Sequence, residues 1–175
     1  MDALTALALA ARDGNRAALE ELVRATQVEV WRLCAHLGDK ASADDLTQET
    51  YERALRSLTG FRGDAAVRTW LFTIARRVCA DHIRMRVRQR DLRERAERRA
   101  RPPAGSRPNE FIDVWLQVQD LREEYRAALV LTQVIGLSYE EAAEVCECPV
   151  GTIRSRVARG RAEIIDTPGE QSARG

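Results

Sequence analysis

Helical periodicity is the feature that most constrains how this chain can fold. Apolar residues recur at steps of three and four along nearly all of the 175 residues, a spacing that places them on one face of an α-helix. No segment has the apolar and polar alternation of a β-strand, and no internal repeat is present. The pattern breaks at RPPAGSRP (101–108), where three prolines and a glycine interrupt any helix. The sequence therefore predicts an all-α fold of two small helical domains joined by a flexible linker.

The break sets the expected domain boundaries. We place the first domain at 1–95, the linker at 96–109 and the second domain at 110–167. The segment 168–175 lacks periodicity and is predicted to be a disordered tail. A chain of 19.7 kDa has room for two such domains but is too short for a large multidomain enzyme.

Capping residues predict where the N-terminal helices begin and end. Asn15 is expected to cap an amphipathic helix that ends at Gly38. Ser42 and Asp45 have the spacing of a capping box and predict the start of a second helix, which ends near residue 60. A third helix is predicted from near residue 65 past residue 83, with Trp70 on its apolar side and therefore in the core.

Two charged faces lie on these helices. The polar residues Asp45, Gln48, Glu49 and Glu52 of the second helix form one row at i, i+3, i+4 and i+7. Such a row is most often a solvated helix face. The third helix turns basic, because 76–101 holds eleven arginines against four acidic residues, a local balance of +7 in a chain whose net charge is only +1. Any polyanionic partner is therefore indicated by local charge alone.

The C-terminal half has the pattern of a helix-turn-helix element. Helices are predicted over 111–120 and 122–135, and Gly136 ends the latter. Ser138 and Glu141 form a capping-box pattern before a short helix, and Pro149 starts a longer helix that runs to about residue 165. In this motif the second helix enters the major groove of DNA. Its arginines are then available for phosphates and guanine edges.

The cysteines and histidines offer little for catalysis or metal binding. Cys146 and Cys148 lie beside the second helix of the motif, but no second pair of ligands accompanies them, so packing is favoured and a redox role stays open. His82 has no metal-spaced partner and is expected to be packed or at the surface. The sequence shows no nucleophile and base pair, phosphate loop or metal cluster. We expect no catalytic residue, no metal and no cofactor, hence no enzyme.

Two apolar stretches bear on location. Residues 3–11 follow Asp2 rather than a basic segment, so they predict a helix and not a secretory leader. Residues 127–137 are fewer than the roughly 20 that cross a bilayer. With four cysteines and no leader, the chain is predicted to be cytoplasmic, without membrane insertion.

Three segments carry a family resemblance: DDLTQETYERAL (44–55), RTWLFTIARRVCADHIR (68–84) and LSYEEAAEVCECPVGTIRSRVARGR (137–161). Together they resemble the extracytoplasmic-function (ECF) sigma factors of the sigma-70 family, in the family's order and at its spacing. The stretches CPVGTIRSR and ADHIR are most similar to the actinobacterial sigma-C type. The resemblance implies an alternative sigma factor with a sigma-2 domain and a sigma-4 helix-turn-helix domain, which selects promoters, promotes DNA melting and leaves the chemistry of initiation to RNA polymerase.

The resemblance also implies contact residues and partners. The acidic row Asp45, Gln48, Glu49 and Glu52 would bind the beta-prime clamp helices of core RNA polymerase, and the sigma-4 domain its beta-subunit flap. The minus-ten promoter element would be bound by Phe61, Arg62, Gly63, Asp64, Arg76, Arg77 and Arg84. The minus-35 element would be bound by Thr152, Arg154, Ser155, Arg156, Arg159 and Arg161. A cognate anti-sigma factor is a further implied partner.

Two other function classes stay open on the residues alone. A self-sufficient helix-turn-helix regulator would bind duplex DNA tightly without polymerase. A helical adaptor that uses the acidic row for protein binding would show no salt-dependent affinity for DNA.

Overall fold

The computed structural model describes residues 2–97, 118 and 120–166, and within that part of the chain the only regular secondary structure is helical. The N-terminal half contains α1 (Ala3–Arg12), α2 (Arg16–Leu37), α3 (Ala43–Ser57) and α4 (Val67–Glu97). The C-terminal half contains α5 (Glu123–Leu129), α6 (Tyr139–Cys146) and α7 (Val150–Asp166). The predicted all-α fold with two helical domains is confirmed. The linker 96–109, most of the helix predicted at 111–120 and the tail 168–175 lie outside the described residues.

Local side-chain caps explain where α2 and α6 begin. The Asn15 side chain accepts a hydrogen bond from the Ala18 amide, and Gly38 follows the last residue of α2, as predicted. The Ser138 capping box is also present: its side chain accepts from the Glu141 amide, and the Glu141 carboxylate accepts from the Ser138 amide. These caps use partners three residues apart, which is why the sequence reveals them.

The capping box predicted at Ser42 and Asp45 is wrong. The Ser42 side chain makes no cap to α3. Instead Asp39 caps a short 3-10 turn, Lys40–Ser42, that leads into α3, and its carboxylate accepts from the Ser42 amide at 2.9 Å. Asp39 also contacts His82 at 3.2 Å and pairs with Arg86, both on α4. Asp39 therefore caps the turn before α3 and joins it to α4.

Two further helix limits differ from the sequence expectation. The third helix begins at Val67 rather than near residue 65. The helix predicted over 122–135 is α-helical over Glu123–Leu129 and then widens into a π-helical segment, Val130–Val134. Gly136 ends this segment at φ 79, a left-handed conformation that glycine adopts without strain. The π turn lets the chain leave the helix toward α6.

A buried core joins the helices of both halves. Leu33 and Phe72, from α2 and α4, belong to the same apolar cluster as Leu131 and Ile153 from the C-terminal half. A second cluster packs α1 and the loop before α4 against α2 to α4. In α7 the apolar residues Ile153 and Val157, four positions apart and therefore on one side of the helix, are buried. The described helices include none that is long and apolar enough to cross a membrane.

Candidate polymerase and promoter interfaces

The acidic row lies on the outer side of α3. Asp45 and Gln48 are exposed, whereas Glu49 and Glu52 are half-buried. The two glutamates form ion pairs within the helix, Glu49 with Arg53 at 2.8 Å and Glu52 with Arg56 at 3.1 Å. The Gln48 amide donates to Glu52 at 3.1 Å, although its side chain is exposed. Asp45 is therefore the member of the row best placed for a partner protein, with the exposed Gln48 beside it.

An apolar groove lies beside the row, between α2 and α3. It encloses about 450 Å³ and is lined by Val23, Gln27, Val28, Trp31, Asp44, Thr47, Gln48 and Tyr51. The Trp31 indole donates to the Asp44 carboxylate at 2.7 Å, which fixes the ring at the edge of the groove. Val28 is 56% exposed. Sequence reasoning missed this groove, although Val28 and Trp31 stand apart from the buried positions of α2.

The loop between α3 and α4 presents only part of its predicted site. Arg62 and Asp64 are exposed, and Gly63 adopts φ 77. The ring of Phe61 is buried, 5.0 Å from the ring of Trp70, so it supports the loop from below instead of offering a surface to a base. Phe61, predicted as part of the base pocket, therefore lies beneath the exposed side chains of the loop. Trp70 itself is half-buried and packs against the second core cluster, as predicted.

The three arginines predicted to bind the minus-ten element are engaged by the C-terminal half. The Arg76 side chain donates to the Val145 carbonyl at 3.1 Å and pairs with Glu147 at 3.5 Å. Arg77 pairs with Glu147 at 2.5 Å. Arg84 lies 3.9 Å from Glu123. In this arrangement the helix-turn-helix covers part of the basic face of α4.

Glu147 stands in the turn between α6 and α7. Its φ of 54 makes it the one non-glycine residue with positive φ in the described part of the chain. This left-handed conformation is unfavourable for a side chain larger than glycine. Hydrogen bonding by Arg77 lowers the pKa of the Glu147 carboxyl, so the group is ionised at neutral pH.

The outer side of α7 carries the residues predicted to bind the minus-35 element. Arg154, Ser155, Arg159 and Arg161 are exposed, and Thr152 and Arg156 are half-buried. Arg156 lies 3.7 Å from the Cys148 sulphur, and Arg161 donates to the Gln133 side chain at 2.6 Å. Arg154 and Arg159 therefore have the freest geometry for a DNA backbone or base edge.

Comparison with known proteins agrees with this arrangement. The family model Sigma-70 region 2 matches residues 22–89 and the model Sigma-70, region 4 matches residues 112–164. The ECF RNA polymerase sigma factor SigC of Mycobacterium tuberculosis is 49% identical over 168 residues, covering 94% of this chain and 90% of the relative. The chain belongs to the ECF sigma factors. It is a sigma-C-like alternative RNA polymerase sigma factor.

Solved structures of other sigma factors share the fold. CnrH in complex with the cytosolic domain of CnrY matches with a TM-score of 0.72 at 28% identity, covering 94% of this chain and 96% of that chain. The sigma factor RpoE of Bartonella quintana in complex with the anti-sigma factor NepR matches with a TM-score of 0.64 at 27% identity, covering 83% of this chain and 93% of that chain. Both matches extend across the two halves of this sigma factor.

The cysteines of this sigma factor have packing positions. Cys34 and Cys79 are buried in the core, and Cys146 and Cys148 are half-buried at the helix-turn-helix turn. Burial raises the pKa of the Cys146 thiol to about 11, so it is protonated near neutral pH and a poor nucleophile. Within the described residues no three potential ligands come together as a metal site. His82 is packed beside Asp39, in line with the packing alternative.

Proposed function

We propose that this sigma factor docks on core RNA polymerase through the outer side of α3 and the groove beside it, and reads promoter DNA with the loop 61–64, α4 and α7. The observation that carries the proposal is that one chain holds both an acidic row with an adjoining apolar groove, on the outer side of α3, and a helix-turn-helix whose outer side is basic. A self-sufficient regulator needs only the second feature. The polymerase would then supply the chemistry of initiation.

The α3 surface suits a protein partner. A central apolar anchor with a polar rim is the usual composition of a protein interface, and aromatic residues often carry most of its binding energy. The groove supplies Trp31 and Val28, and Asp45 and Gln48 supply the rim. We propose that the clamp helices of the beta-prime subunit occupy this surface, and that the sigma-4 domain meets the beta-subunit flap.

The two proposed DNA-binding surfaces differ in whether their arginines are already paired within the chain. Arg154 and Arg159 on α7 are exposed, and we propose that they contact the minus-35 element together with Thr152, Ser155, Arg156 and Arg161. Arg76 and Arg77 are paired with Glu147, and the Arg76 side chain is only 20% exposed, so parting of α4 from the helix-turn-helix would free both arginines for the minus-ten strand. We therefore propose that the free chain is closed and opens on polymerase.

An anti-sigma factor is a further proposed partner. CnrH is in complex with the cytosolic domain of CnrY, and the Bartonella RpoE is in complex with the anti-sigma factor NepR. Both resemble this chain across its two halves. We propose that a cognate anti-sigma factor holds this sigma factor in its closed arrangement, in the cytoplasm.

Run-off transcription with purified core polymerase and a promoter library tests the proposed function. Asp45→Arg should abolish initiation, because it replaces the exposed carboxylate at the start of the acidic row by a cation, and Trp31→Ala should weaken it by removing the anchor of the groove. The matched control is Glu21→Arg, an equal charge change at an exposed position of α2. Initiation from no promoter by the native chain, with duplex DNA binding retained, would instead establish an independent regulator.

A further inference from the structure

Helix α1 is the one helix of the N-terminal half that the matched region, residues 22–89, leaves out. It packs against the loop that joins α3 to α4, and its Ala8 is fully buried. Leu4, Leu7 and Leu9 of α1 lie in the same apolar cluster as Phe61 and Val67, which flank the loop. The polar contacts between the helix and the loop are more specific than this packing.

Thr5 anchors the end of the loop where α4 begins. Its hydroxyl accepts a hydrogen bond from the Val67 amide at 3.0 Å, across 62 residues of sequence. The same hydroxyl donates to the Asp2 carboxylate at 2.6 Å, and the Thr5 side chain is buried. The first amides of a helix have no partner within it. Thr5 therefore provides the missing acceptor for the first residue of α4, and Asp2 orients the hydroxyl for that task.

Arg12 holds the opposite end of the loop. Its guanidinium donates to the Phe61 carbonyl at 3.1 Å. An ion pair with Asp13 at 2.8 Å steadies the guanidinium. Gly63 lies between the two anchors at φ 77, and a Cβ there would stand 3.4 Å from a methyl group of Leu9. The loop backbone thus touches α1 at its start, middle and end.

Arg62 and Asp64 project outward from this anchored backbone. Both side chains are exposed, while the residues that contact α1 face inward. A side chain that recognises a base must be held within a fraction of an ångström, since small displacements weaken hydrogen bonds steeply. A loop of this length without anchors would sample many backbone conformations.

We propose that α1 positions the loop 61–66 and thereby determines its base preference at the minus-ten element, with Thr5 and Arg12 as positioning residues. The inference rests on the proposed function of this loop, and it goes beyond that function by assigning specificity to a helix that touches no DNA. Loss of either anchor should blur discrimination between bases more than it weakens overall promoter binding.

Transcription by the polymerase holoenzyme tests the inference, with a promoter from the run-off library and variants of it that carry each minus-ten base in turn. Thr5→Val keeps the size of the side chain but loses the hydrogen bonds of the hydroxyl to the Val67 amide and the Asp2 carboxylate. Arg12→Gln loses the guanidinium that donates to the Phe61 carbonyl. Each should lower the preference for the native base about fivefold, as expected for one lost hydrogen bond. Thr5→Ser keeps the hydroxyl and should restore the preference.

Three controls separate positioning from general damage. Thr73→Val removes a hydroxyl that bonds only within α4, to the Thr69 carbonyl, and should leave the preference intact. Core affinity and minus-35 duplex binding should stay unchanged in every variant. If Thr5→Val fails to fold, Arg12→Gln alone decides, because Arg12 is partly exposed and its replacement leaves no buried charge.

Substitutions in the loop itself distinguish the proposed function of the loop from the positioning role of α1. If Arg62→Ala or Asp64→Ala erases the base preference while Thr5→Val and Arg12→Gln keep it, the role of α1 is refuted and the role of the loop stands. If neither loop variant changes the preference, the proposed function of the loop fails and the inference fails with it. If the loop variants and the α1 variants all lose the base preference, and Thr5→Ser keeps it, the result supports both the role of the loop and the role of α1.

Discussion

Replacing Glu147 by glutamine should open the contact between α4 and the helix-turn-helix. Glu147 pairs with Arg77 at 2.5 Å and with Arg76 at 3.5 Å, and its side chain is 52% exposed. Exposed ion pairs contribute about 0.2 to 1 kcal/mol each. Because the Arg76 pair is long and Arg76 keeps its bond to the Val145 carbonyl, we expect a total loss of about 1 kcal/mol.

A loss of about 1 kcal/mol shifts an open and closed equilibrium roughly fivefold. Fluorescence anisotropy of the free chain with a single-stranded minus-ten oligonucleotide measures the shift, since opening separates both arginines from Glu147 and uncovers Arg76, whose side chain is 20% exposed in the closed form. Glu147→Gln should bind about fivefold more tightly than the native chain, in proportion to that shift. The gain should shrink at high salt, which screens the ion pairs of the native chain.

The control for this prediction is Glu144→Gln, an equal charge change at an exposed position of α6. If both variants bind the oligonucleotide equally well, net charge explains the effect and the reasoning from the Glu147 pairs is refuted. Glu147→Gly adds an independent check. This variant also removes the carboxylate, so it should bind DNA like Glu147→Gln. Because glycine relieves the strain of φ 54, it should unfold at a higher temperature than Glu147→Gln.

The pH dependence of the contact follows from the lowered pKa of Glu147. A carboxyl whose pKa is lower in the closed form than in the open form stabilises the closed form above its open-form pKa. The stabilisation is lost as the pH falls through the lowered value. The native chain should therefore gain oligonucleotide affinity, relative to Glu147→Gln, only under acidic conditions.

Other perturbations test the fold and the DNA surface. Gly160→Ala should destabilise the chain by about 1 to 3 kcal/mol in thermal unfolding, because a Cβ there would stand 2.8 Å from Leu129; Gly151→Ala, where a Cβ meets nothing within 4 Å, should be neutral or stabilising. Asp39→Asn keeps an acceptor for the Ser42 amide but loses the charge that pairs with Arg86, so it should cost about 1 kcal/mol at neutral pH. Burial alone would raise the pKa of Asp39, but its hydrogen bonds outweigh burial and lower it, so the difference between native and variant stability should vanish as the pH falls below 4. Arg154→Ala should reduce the salt slope of minus-35 duplex binding by about 0.9, and an unchanged slope would place Arg154 away from the phosphates.

The sequence by itself determined the helices whose signals are local. The Asn15 cap, the end of α2 at Gly38 and the Ser138 capping box are hydrogen bonds between residues a few positions apart. The side of α7 that is buried follows from the helical period, and the family segments lie on these same helices. Such features depend on neighbours along the chain, so they are readable without a tertiary structure.

Only the tertiary structure decided which groups meet across long separations. Asp39, which caps the turn before α3, also meets His82 and Arg86 of α4, more than 40 residues away in sequence. Phe61 became a buried support because α1 and Trp70 enclose the loop, and Glu147 found its partners on α4. Helical periodicity says which side of a helix is apolar, but it does not say which other helix will cover it. The pairing of Arg76 and Arg77 with Glu147 and the anchoring of the loop before α4 therefore emerge only when all the helices are packed.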